Sequence, residues 1–301
     1  MRSTSDHDQQ VSLCFKLPKV LEYLSELHVW MLFGALVVLL EACGGISQLS
    51  NQTTIRVMTY NIHHGVGTDS VFDIDRIGKT IRHADADIVA LQDVDRWVDR
   101  TDKMDSMTKL ADLTGMTYTF AKSMSVGGGE NGNGILTRYP ILEEKHITFR
   151  AQVSNEKRNL IRLVLDVRGT ELVFMNTELN GLNDDSVVTR DIAEIVAAGT
   201  ENQNVPAILA VSMNSSPENS SVAALNNAFQ DCWAISGAGN GFTYPSNTAA
   251  NRLDYIFVSK HQVPTDTKSI EVNLMPVEST VLFTNASDHA PLVVTLKIVS
   301  E

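Results

Sequence analysis

The sequence predicts one layered α/β or α+β domain that follows an N-terminal segment of a different character. Short apolar runs typical of strands are interspersed with helix-like segments over residues 55–301, and no change in composition divides that region. The apolar fraction is 43% and the charged fraction 20%, which is usual for a globular chain with a sizeable core. We therefore predict a single domain at 55–301, preceded by a separate segment at 1–54.

Residues 1–54 are expected to form an export or anchor segment with a polar tether. The run from Val29 to Leu40 is apolar throughout; it is shorter than the ~20 residues of a transmembrane helix but suits the centre of a signal peptide. The following LEACGG resembles the lipobox of bacterial lipoproteins, in which the cysteine, here Cys43, is lipidated. Glu41 departs from that pattern, and an amphipathic helix with a short anchor is the alternative. Both interpretations make the protein exported or membrane-associated.

The elements of the first half of the domain are predicted from periodicity. Ile55–Asn61 alternates like a strand, and Asp73 can cap a helix whose isoleucines recur at helical spacing. Asp87–Asp95 (DIVALQDVD) has the continuous apolar centre of a strand buried on both faces. A short helix is predicted at Ser106–Leu113, and a glycine-rich loop at Gly127–Gly134 precedes the strand GILTRY.

The second half is predicted to contain two helices, at Asp185–Ala198 and Ser216–Phe229, with a strand between them. That strand leads into ILAVSMNSSP, where Ser216 can cap the second helix and Pro217 can occupy its first position. Strands are predicted at Leu160–Val167, Glu171–Asn176, Ile208–Met213, Leu253–Ser259, Ile270–Leu274 and Leu292–Val299.

Polar residues stand at the ends of several of these strands. Each has an ordinary explanation as a turn or solvated residue, although an acid inside an apolar strand, such as Asp254, needs a partner. Together and in order, however, seven segments resemble the motifs of the endonuclease/exonuclease/phosphatase superfamily. They span Ile55 to about Ile298 and are MTYNIHHG, DADIVALQDVDRWVDRT, GNGILTRYPI, FMNTELN, ILAVSMNSSP, RLDYIFVS and SDHAPLV.

The resemblance implies a four-layer sandwich, in which two mixed β-sheets pack face to face with helices on the outside. It also implies hydrolysis of a phosphate ester with Mg²⁺ or Mn²⁺ as the cofactor. The metal ligands implied by the motifs are Asn61, Asp93 and Asp288. Asn214 would bind a phosphate oxygen, and His289 would contact the phosphate while Asp254 orients its imidazole.

Three positions depart from the family pattern. Asp93 stands where the family usually has Glu, which shortens the reach of the carboxylate by one methylene. Glu178 stands where the family usually has His, so that an anion replaces a phosphate donor. Ser212 stands where the family has the acid that acts as the base toward the attacking water. Loss of a positioned base typically costs ~10² to 10⁴ in rate.

Two functions therefore stay open. The first is a divergent metal-dependent phosphoester hydrolase with weakened or lost activity, in which Glu178 takes over as the base. The second is a non-catalytic, membrane-attached binding or scaffold module on the same fold. Ser212 is disfavoured as a nucleophile because its flanks lack the glycines of a nucleophile elbow.

The partner is expected to be a small phosphate ester or a lipid head group, bound by a monomeric domain at a membrane surface. The formal net charge of -12 repels nucleic acid at long range. Near the acidic strand end, Arg96 and Arg100 either contact a phosphate or pair with Asp95, Asp99 or Asp102. The His63-His64 pair either touches a metal or lies in an exposed turn. Cys14, Cys43 and Cys232 form neither a disulfide framework nor a zinc-binding spacing.

Overall fold

The computed structural model describes residues 53–150, 157–179, 185–202, 205–260 and 272–300. The apolar run at Val29–Leu40 and the lipobox-like Cys43 lie outside these residues, so the predictions made for them stay predictions. The described residues belong to the unit Gln52–Glu301. Within them, no helix has the length and apolar character needed to cross a membrane.

The first sheet contains six strands in the order β11-β12-β1-β2-β4-β3. Among them, β1 and β2 pair in parallel and the other neighbours are antiparallel. The strands are β1 (Thr53–Asn61), β2 (Ile88–Arg96), β3 (Thr117–Val126), β4 (Gly129–Thr137), β11 (Val272–Val281) and β12 (Leu292–Ser300).

The second sheet also contains six strands, in the order β5-β6-β7-β8-β10-β9. Here β7 and β8 form the parallel pair, with antiparallel neighbours elsewhere. The strands are β5 (Ile141–Thr148), β6 (Asn159–Val167), β7 (Thr170–Glu178), β8 (Ala207–Ser212), β9 (Phe229–Asp231) and β10 (Asp254–Ser259). In each sheet the parallel pair therefore brings two carboxyl ends to one edge.

Helices cover the outer face of each sheet. They are α1 (Ile74–Ala84), α2 (Ser106–Thr114), α3 (Asp185–Thr200) and α4 (Ser220–Ala228), whereas the short α5 (Cys232–Ser236) contributes Cys232 to the apolar cluster between the sheets. Apolar residues of α1 and α2 pack on the first sheet, and those of α3 and α4 on the second. A third cluster, which includes Val57, Ile88, Phe174 and Ile208, fills the space between the sheets. The predicted four-layer sandwich of two mixed sheets is confirmed.

Several local predictions are confirmed. Asp73 caps α1 by accepting a hydrogen bond from the Arg76 N–H at 3.1 Å. Cys232 is fully buried, as expected for a small hydrophobic residue. The strands on either side of Gly169 pair as a hairpin, with Leu160 opposite Thr177.

Other predictions of local structure are wrong or incomplete. Gly127–Gly134 is not a loop, because β4 already begins at Gly129; a Cβ at Gly132 would collide with the Ala121 carbonyl. Glycine thus permits close strand packing here. The helix predicted at Ser216–Phe229 begins only at Ser220, since Asn219 is its cap and accepts from the Ser221 N–H at 2.9 Å.

The strand predicted at Ile270–Leu274 also differs from the structure. Among the described residues it begins at Val272, and it continues to Val281. The sequence patterns did not predict β3, β5 or the short β9.

A pair of buried amides joins the two sheets. The Gln92 Nε2 group donates to Asn176 Oδ1 at 2.8 Å and to Thr59 Oγ1 at 3.0 Å. Asn176 Nδ2 in turn donates to the carbonyls of Leu91 at 2.9 Å and Gly134 at 2.7 Å. Asn176 and Gln92 are fully buried. Asn176 is therefore a structural residue within β7 and ties that strand to β2 and β4.

Replacing Asn176 with Ala should lower the free energy of unfolding by about 2–4 kcal/mol, because it leaves buried donors and acceptors unpaired. Urea denaturation measures this change. Asn226→Ala, on the exposed face of α4, is the matched control and should stay within about 0.5 kcal/mol of wild type. Equal stability of the two variants would contradict a structural role for the amide pair.

Candidate active site

The polar strand ends that the sequence singles out meet at one edge of the sandwich. On the second sheet, Glu178 at the end of β7 pairs with Ser212 at the end of β8, and Ser212 pairs with Asp254 at the start of β10. On the first sheet, Asn61 ends β1 beside β2, and its carbonyl accepts a hydrogen bond from Ser287 Oγ at 2.8 Å. That bond holds the loop that carries Asp288 and His289.

The Asp254–His289 pair links the two sheets at this edge. His289 Nδ1 lies 2.8 Å from Asp254 Oδ2, and both residues are buried. Burial by itself lowers the pKa of His289, but the charge and hydrogen bond of Asp254, with help from Asp288 and Glu178, raise it to about 9. The imidazole is therefore protonated at neutral pH. The ring of Tyr244, with its centroid 4.8 Å away, packs beside it.

Ser212 occupies the position of the expected base, but none of its described neighbours activates its hydroxyl. The residue is fully buried, and its Oγ has no hydrogen-bond partner in the described part of the chain. Asp254 Oδ1 likewise lacks a partner among the described residues. A neutral hydroxyl at this place cannot act as a base near neutral pH, and it carries no charge to attract a cation.

Glu178 is neutralised by a cation that the motifs did not predict. Arg158 Nη1 lies 3.0 Å from Glu178 Oε2. Asn214 Nδ2 contacts the other carboxylate oxygen at 3.2 Å and the Leu179 carbonyl at 2.9 Å. An amide nitrogen has two protons, so these two contacts use the donor capacity of Asn214. Glu178 thus already holds the donor that was expected to bind a phosphate oxygen.

The sequence contained a signal for Arg158 that residue spacing alone did not reveal. The strands around Gly169 were predicted to pair, and an antiparallel hairpin that joins Leu160 to Thr177 brings Arg158 next to Glu178. A carboxylate that is mostly buried, as Glu178 is with 17% of its side chain exposed, also favours a compensating charge nearby. Together, the hairpin register and the substitution at position 178 point to this arginine.

Asp93 is held in an ionised state at an irregular point of β2. Its φ is +52°, at a bulge between Leu91 and Val94. His64 Nδ1 lies 3.2 Å from one carboxylate oxygen, and Asn131 Nδ2 donates to the other at 2.7 Å. Burial raises the pKa of Asp93, but these hydrogen bonds outweigh it and keep the pKa below the ordinary value.

The two other predicted metal ligands lie on either side of His63. The Asn61 side-chain oxygen accepts a hydrogen bond from the His63 N–H at 3.1 Å, and Asp288 Oδ1 lies 3.7 Å from His63 Nδ1. His64 is only 13% exposed in its side chain, so the interpretation of both histidines as exposed turn residues does not hold for it. The His63-His64 turn therefore connects all three predicted ligands.

These oxygen ligands fit a divalent cation in type. Mg²⁺ prefers carboxylate and amide oxygens as ligands. Carboxylates that bind a metal are usually oriented by a hydrogen bond from a neighbouring group, and Asn131 provides such a bond to Asp93. Within the described ranges, no three His, Cys, Asp or Glu side chains cluster so as to hold a metal ion. The assignment of Asn61, Asp93 and Asp288 to a metal stays a prediction.

The arginines near the acidic strand end pair with carboxylates. Arg100 makes two hydrogen bonds to Asp95, at 2.6 and 2.9 Å, as one of the two interpretations predicted. Arg96 makes two to Asp105, at 2.9 and 2.6 Å, an acid outside the predicted set. Asn131 also donates to Asp95 at 2.8 Å, so it connects this buried acid to Asp93.

Comparison with known families supports the resemblance seen in the motifs. A sequence model described as the Endonuclease/Exonuclease/phosphatase family matches residues 58–289. Members of this family generally use divalent metals. No curated protein sequence matches the chain significantly.

Solved structures of the same family have a similar fold. An endonuclease/exonuclease/phosphatase from Beutenbergia cavernae DSM 12333 is 20% identical with a TM-score of 0.65, over 81% of this chain and 72% of that one. A mannosyl-6-phosphatase from Bacteroides thetaiotaomicron VPI-5482 is 18% identical with a TM-score of 0.63, over 80% and 99%. The human Nocturnin catalytic domain is 19% identical with a TM-score of 0.63, over 83% and 96%.

The Asp254→Asn substitution should lower the pKa of His289 from about 9 to ~6.5 or below. Burial disfavours the charged imidazolium, and the substitution removes the carboxylate charge that outweighs this effect. Titration of the imidazole resonances by NMR measures this, with His83 on the exposed face of α1 as the internal reference. An unchanged His289 titration would contradict the pairing.

The same pair makes stability depend on pH. The pKa of His289 is raised in the folded state, so protonation of its imidazole stabilises the fold. This stabilisation is complete below the unfolded pKa of ~6.5 and is lost as the pH rises through about 9. The free energy of unfolding of the wild type should therefore fall over this interval by up to about 3 kcal/mol relative to Asp254→Asn.

Proposed function

Because the chain belongs to the endonuclease/exonuclease/phosphatase family, we propose that it binds a phosphate ester at the strand ends and hydrolyses it weakly. The observation that carries this proposal is the buried His289–Asp254 pair, with its atoms 2.8 Å apart, next to Ser212, which lies opposite Asp254 at the place expected for the base. The phosphate-binding cation is retained, whereas the proton acceptor is lost.

His289 supplies a donor for the phosphate in this proposal. Its Nδ1 is committed to Asp254, which leaves Nε2–H as the group that donates to a phosphate oxygen. The positive charge favours an anion and stabilises the charge that develops on the phosphoryl oxygens during reaction. Asp254 is then a positioning residue, since it acts through the imidazole.

A divalent cation, Mg²⁺ or Mn²⁺, would be held by Asn61, Asp93 and Asp288. When bound, it would neutralise negative charge on the phosphoryl group. Asn131 fixes the carboxylate of Asp93 for that purpose.

The hydrolysis step is weak because no carboxylate occupies position 212. Glu178 is the neighbour of Ser212 in the β7–β8 register and is the alternative base. Both of its carboxylate oxygens are in contact with donors, however, one with Arg158 and the other with Asn214. These contacts occupy both oxygens with which Glu178 would take a proton from water, so that the expected loss of ~10² to 10⁴ in rate is recovered only in small part.

A non-catalytic binding module is the second candidate function. The donor contacts of Glu178 and the Ser212 hydroxyl, which has no partner among the described residues, favour it, because both reduce the means of activating water. In either case we propose a small phosphate ester or a lipid head group as the ligand, since the net charge of -12 opposes binding of nucleic acid. We also propose a monomeric domain that is exported or attached to a membrane through residues 1–54, with Cys43 as the lipidated residue.

Ser212→Asp should raise the rate of hydrolysis of bis(p-nitrophenyl) phosphate in Mg²⁺ or Mn²⁺ by about 10², because it restores a positioned base. Ser212→Asn is the matched control: it has the same shape but accepts no proton, and it should give no gain. The carboxylate lies next to Glu178 and Asp254, so Ser212→Asp/Glu178→His should gain more than the single variant.

Two outcomes separate the candidate functions. Slow wild-type turnover that rises in Ser212→Asp supports the weak hydrolase. Absence of turnover in wild type and in both aspartate variants, across nucleotide, lipid and sugar phosphates, assigns the chain to the binding module. The midpoint of thermal unfolding with and without Mg²⁺ gives a separate readout of metal binding.

Phosphate binding should be limited by Glu178, which competes with the ligand for the donors of Arg158 and Asn214. Glu178→Gln should therefore tighten binding of inorganic phosphate about tenfold, a change of ~1.4 kcal/mol. Isothermal titration calorimetry measures it. Glu171→Gln, at the exposed start of the same strand, is the matched control and should have no effect.

The double variant Arg158→Gln/Glu178→Gln separates two roles of the arginine. Phosphate affinity well below that of Glu178→Gln would indicate that Arg158 contacts the phosphate. Affinity equal to that of Glu178→Gln would indicate that Arg158 only neutralises Glu178. Unchanged affinity in Glu178→Gln itself would contradict the competition.

A further inference from the structure

Phe283 is the most exposed large apolar residue in the described part of the chain. Its exposed fraction is 89%, whereas that of the other large apolar surface residues is at most 55%. It lies in the loop Leu282–Pro291, which joins β11 to β12 and carries Asp288 and His289. A ring that is this exposed adds little to the stability of the fold, because folding removes little of its apolar area from water. The ring is therefore available to a partner.

Phe283 points toward the side of the first sheet that faces the second sheet. Val281 packs against the apolar cluster between the two sheets. Leu282 packs against the cluster beneath α1 and α2, and Thr284 Oγ1 lies 3.4 Å from Thr80 Oγ1 of α1. Side chains of an extended segment alternate between its two sides. Since Leu282 and Thr284 face the helices, Phe283 between them faces the other way.

His289 leaves the same loop on the same side. Its Nδ1 reaches Asp254, which lies on the second sheet. The two ends of the loop are paired, since the Leu282 N–H donates to the Pro291 carbonyl at 3.0 Å. The Cα atoms of Phe283 and His289 are therefore at most ~16 Å apart, which is three steps of ~3.8 Å along the chain and one of ~5 Å across the pair. A ligand whose phosphate contacts His289 can thus extend to the ring.

A protruding aromatic ring of this kind fits a membrane better than a small soluble ligand. Small ligands bind in concave pockets that enclose most of their surface. A ring with 89% exposure would touch such a ligand on one side, and the rest of the ring would stay in water. The apolar layer of a membrane, in contrast, surrounds an inserted side chain, and burial of apolar area there stabilises the bound state.

The segment before β1 is long enough for the site to reach the membrane that the proposed anchor would occupy. The residues Glu41–Gln52 separate the apolar run Val29–Leu40 from the first residue of β1. Fully extended, they span at most ~43 Å. By comparison, β1 covers ~26 Å from Thr53 to Asn61, which lies at the site. An anchored domain can therefore place the edge with His289 and Phe283 on the same membrane.

We propose that Phe283 inserts into a phospholipid membrane and that the site takes its phosphate ester from a lipid head group there. Glycerol links the acyl chains of such a lipid to its phosphate, so one lipid molecule can contact both the ring and His289. Apolar insertion requires no attraction of charge, which suits a chain with a net charge of -12. The inference rests on the proposed phosphate-ester function and names the substrate class as a membrane phospholipid.

Fluorescence of the full chain on vesicles tests the insertion. In Phe283→Trp, the added tryptophan should be quenched by phosphatidylcholine that is brominated in its acyl chains. Met275→Trp is the matched control, because Met275 is exposed near the opposite end of β11, and its added tryptophan should stay unquenched. Wild type gives the background of the three natural tryptophans. The quenching at position 283 should persist at high salt, since salt screens charges and not apolar contacts.

Isothermal titration calorimetry tests the link to the phosphate site. Dihexanoylphosphatidic acid below its micelle concentration should bind wild type about fivefold more tightly than glycerol 3-phosphate, which lacks the acyl chains. This is ~1 kcal/mol, less than for complete burial of a phenylalanine, because one lipid covers part of the ring. Phe283→Ala should lose this advantage and keep its affinity for glycerol 3-phosphate, Phe283→Leu should keep part of the advantage, and Met275→Ala should change neither.

Other outcomes overturn the inference. These are quenching in Phe283→Trp that does not exceed that in Met275→Trp, equal wild-type affinities for the two ligands, or a loss in Phe283→Ala that is the same for both. A wild-type dimer that is absent in Phe283→Ala, seen by analytical ultracentrifugation, would assign the ring to an interface between copies of the chain instead.

Failure of the proposed function looks different. The added tryptophan of Phe283→Trp would be quenched on vesicles, but neither glycerol 3-phosphate nor inorganic phosphate would bind. Thermal unfolding checks the fold of Phe283→Ala, and Phe283→Leu serves if that variant does not fold.

Discussion

The amide pair of Gln92 and Asn176 is the constraint on which the rest of the structure depends. Apolar contacts between two sheets are non-directional, so they permit one sheet to slide over the other. Hydrogen bonds from Asn176 to the backbone of β2 and β4 are directional and buried, and they fix the alignment. That alignment brings the carboxyl ends of both parallel pairs to one edge. Only then can Asp254, on one sheet, reach His289, which precedes a strand of the other.

Compared with the family pattern, one carboxylate at this edge lies on the neighbouring strand, and this difference determines the chemistry of the edge. An acid is absent at Ser212 and present at Glu178, and the two positions are partners in the β7–β8 register. Because the carboxylate at 178 lies among hydrogen-bond donors, it takes up Arg158 and Asn214. The number of acids is the same as in the family pattern, but the donors that we propose for the phosphate are occupied, and the proposed proton acceptor for the water is missing.

The sequence was sufficient for the layered fold and for the strand ends, because both depend on apolar periodicity and on short motifs. It was insufficient where tertiary packing overrides local composition. Glycines at positions 129–134 resemble a loop, yet they permit strands to approach closely. Asn176 resembles a turn residue, yet its amide is buried between the sheets. Arg158 has no local sequence pattern either, because it pairs with Glu178 across a hairpin and only the register of the two strands brings them together.

Among the residues with positive φ values at this end of the sandwich are Asp93 (+52°), Trp97 (+60°) and Asn214 (+50°). Such conformations cost about 1–2 kcal/mol per ordinary residue and persist only when the surroundings fix them. Asn131, Arg96 and Glu178 provide that support through their side-chain contacts. The site is therefore preorganised without a ligand. Loss of a base lowers the rate of the chemical step without removing a ligand contact, so in the function we propose, binding of a phosphate ester is retained better than its hydrolysis, although Glu178 limits it.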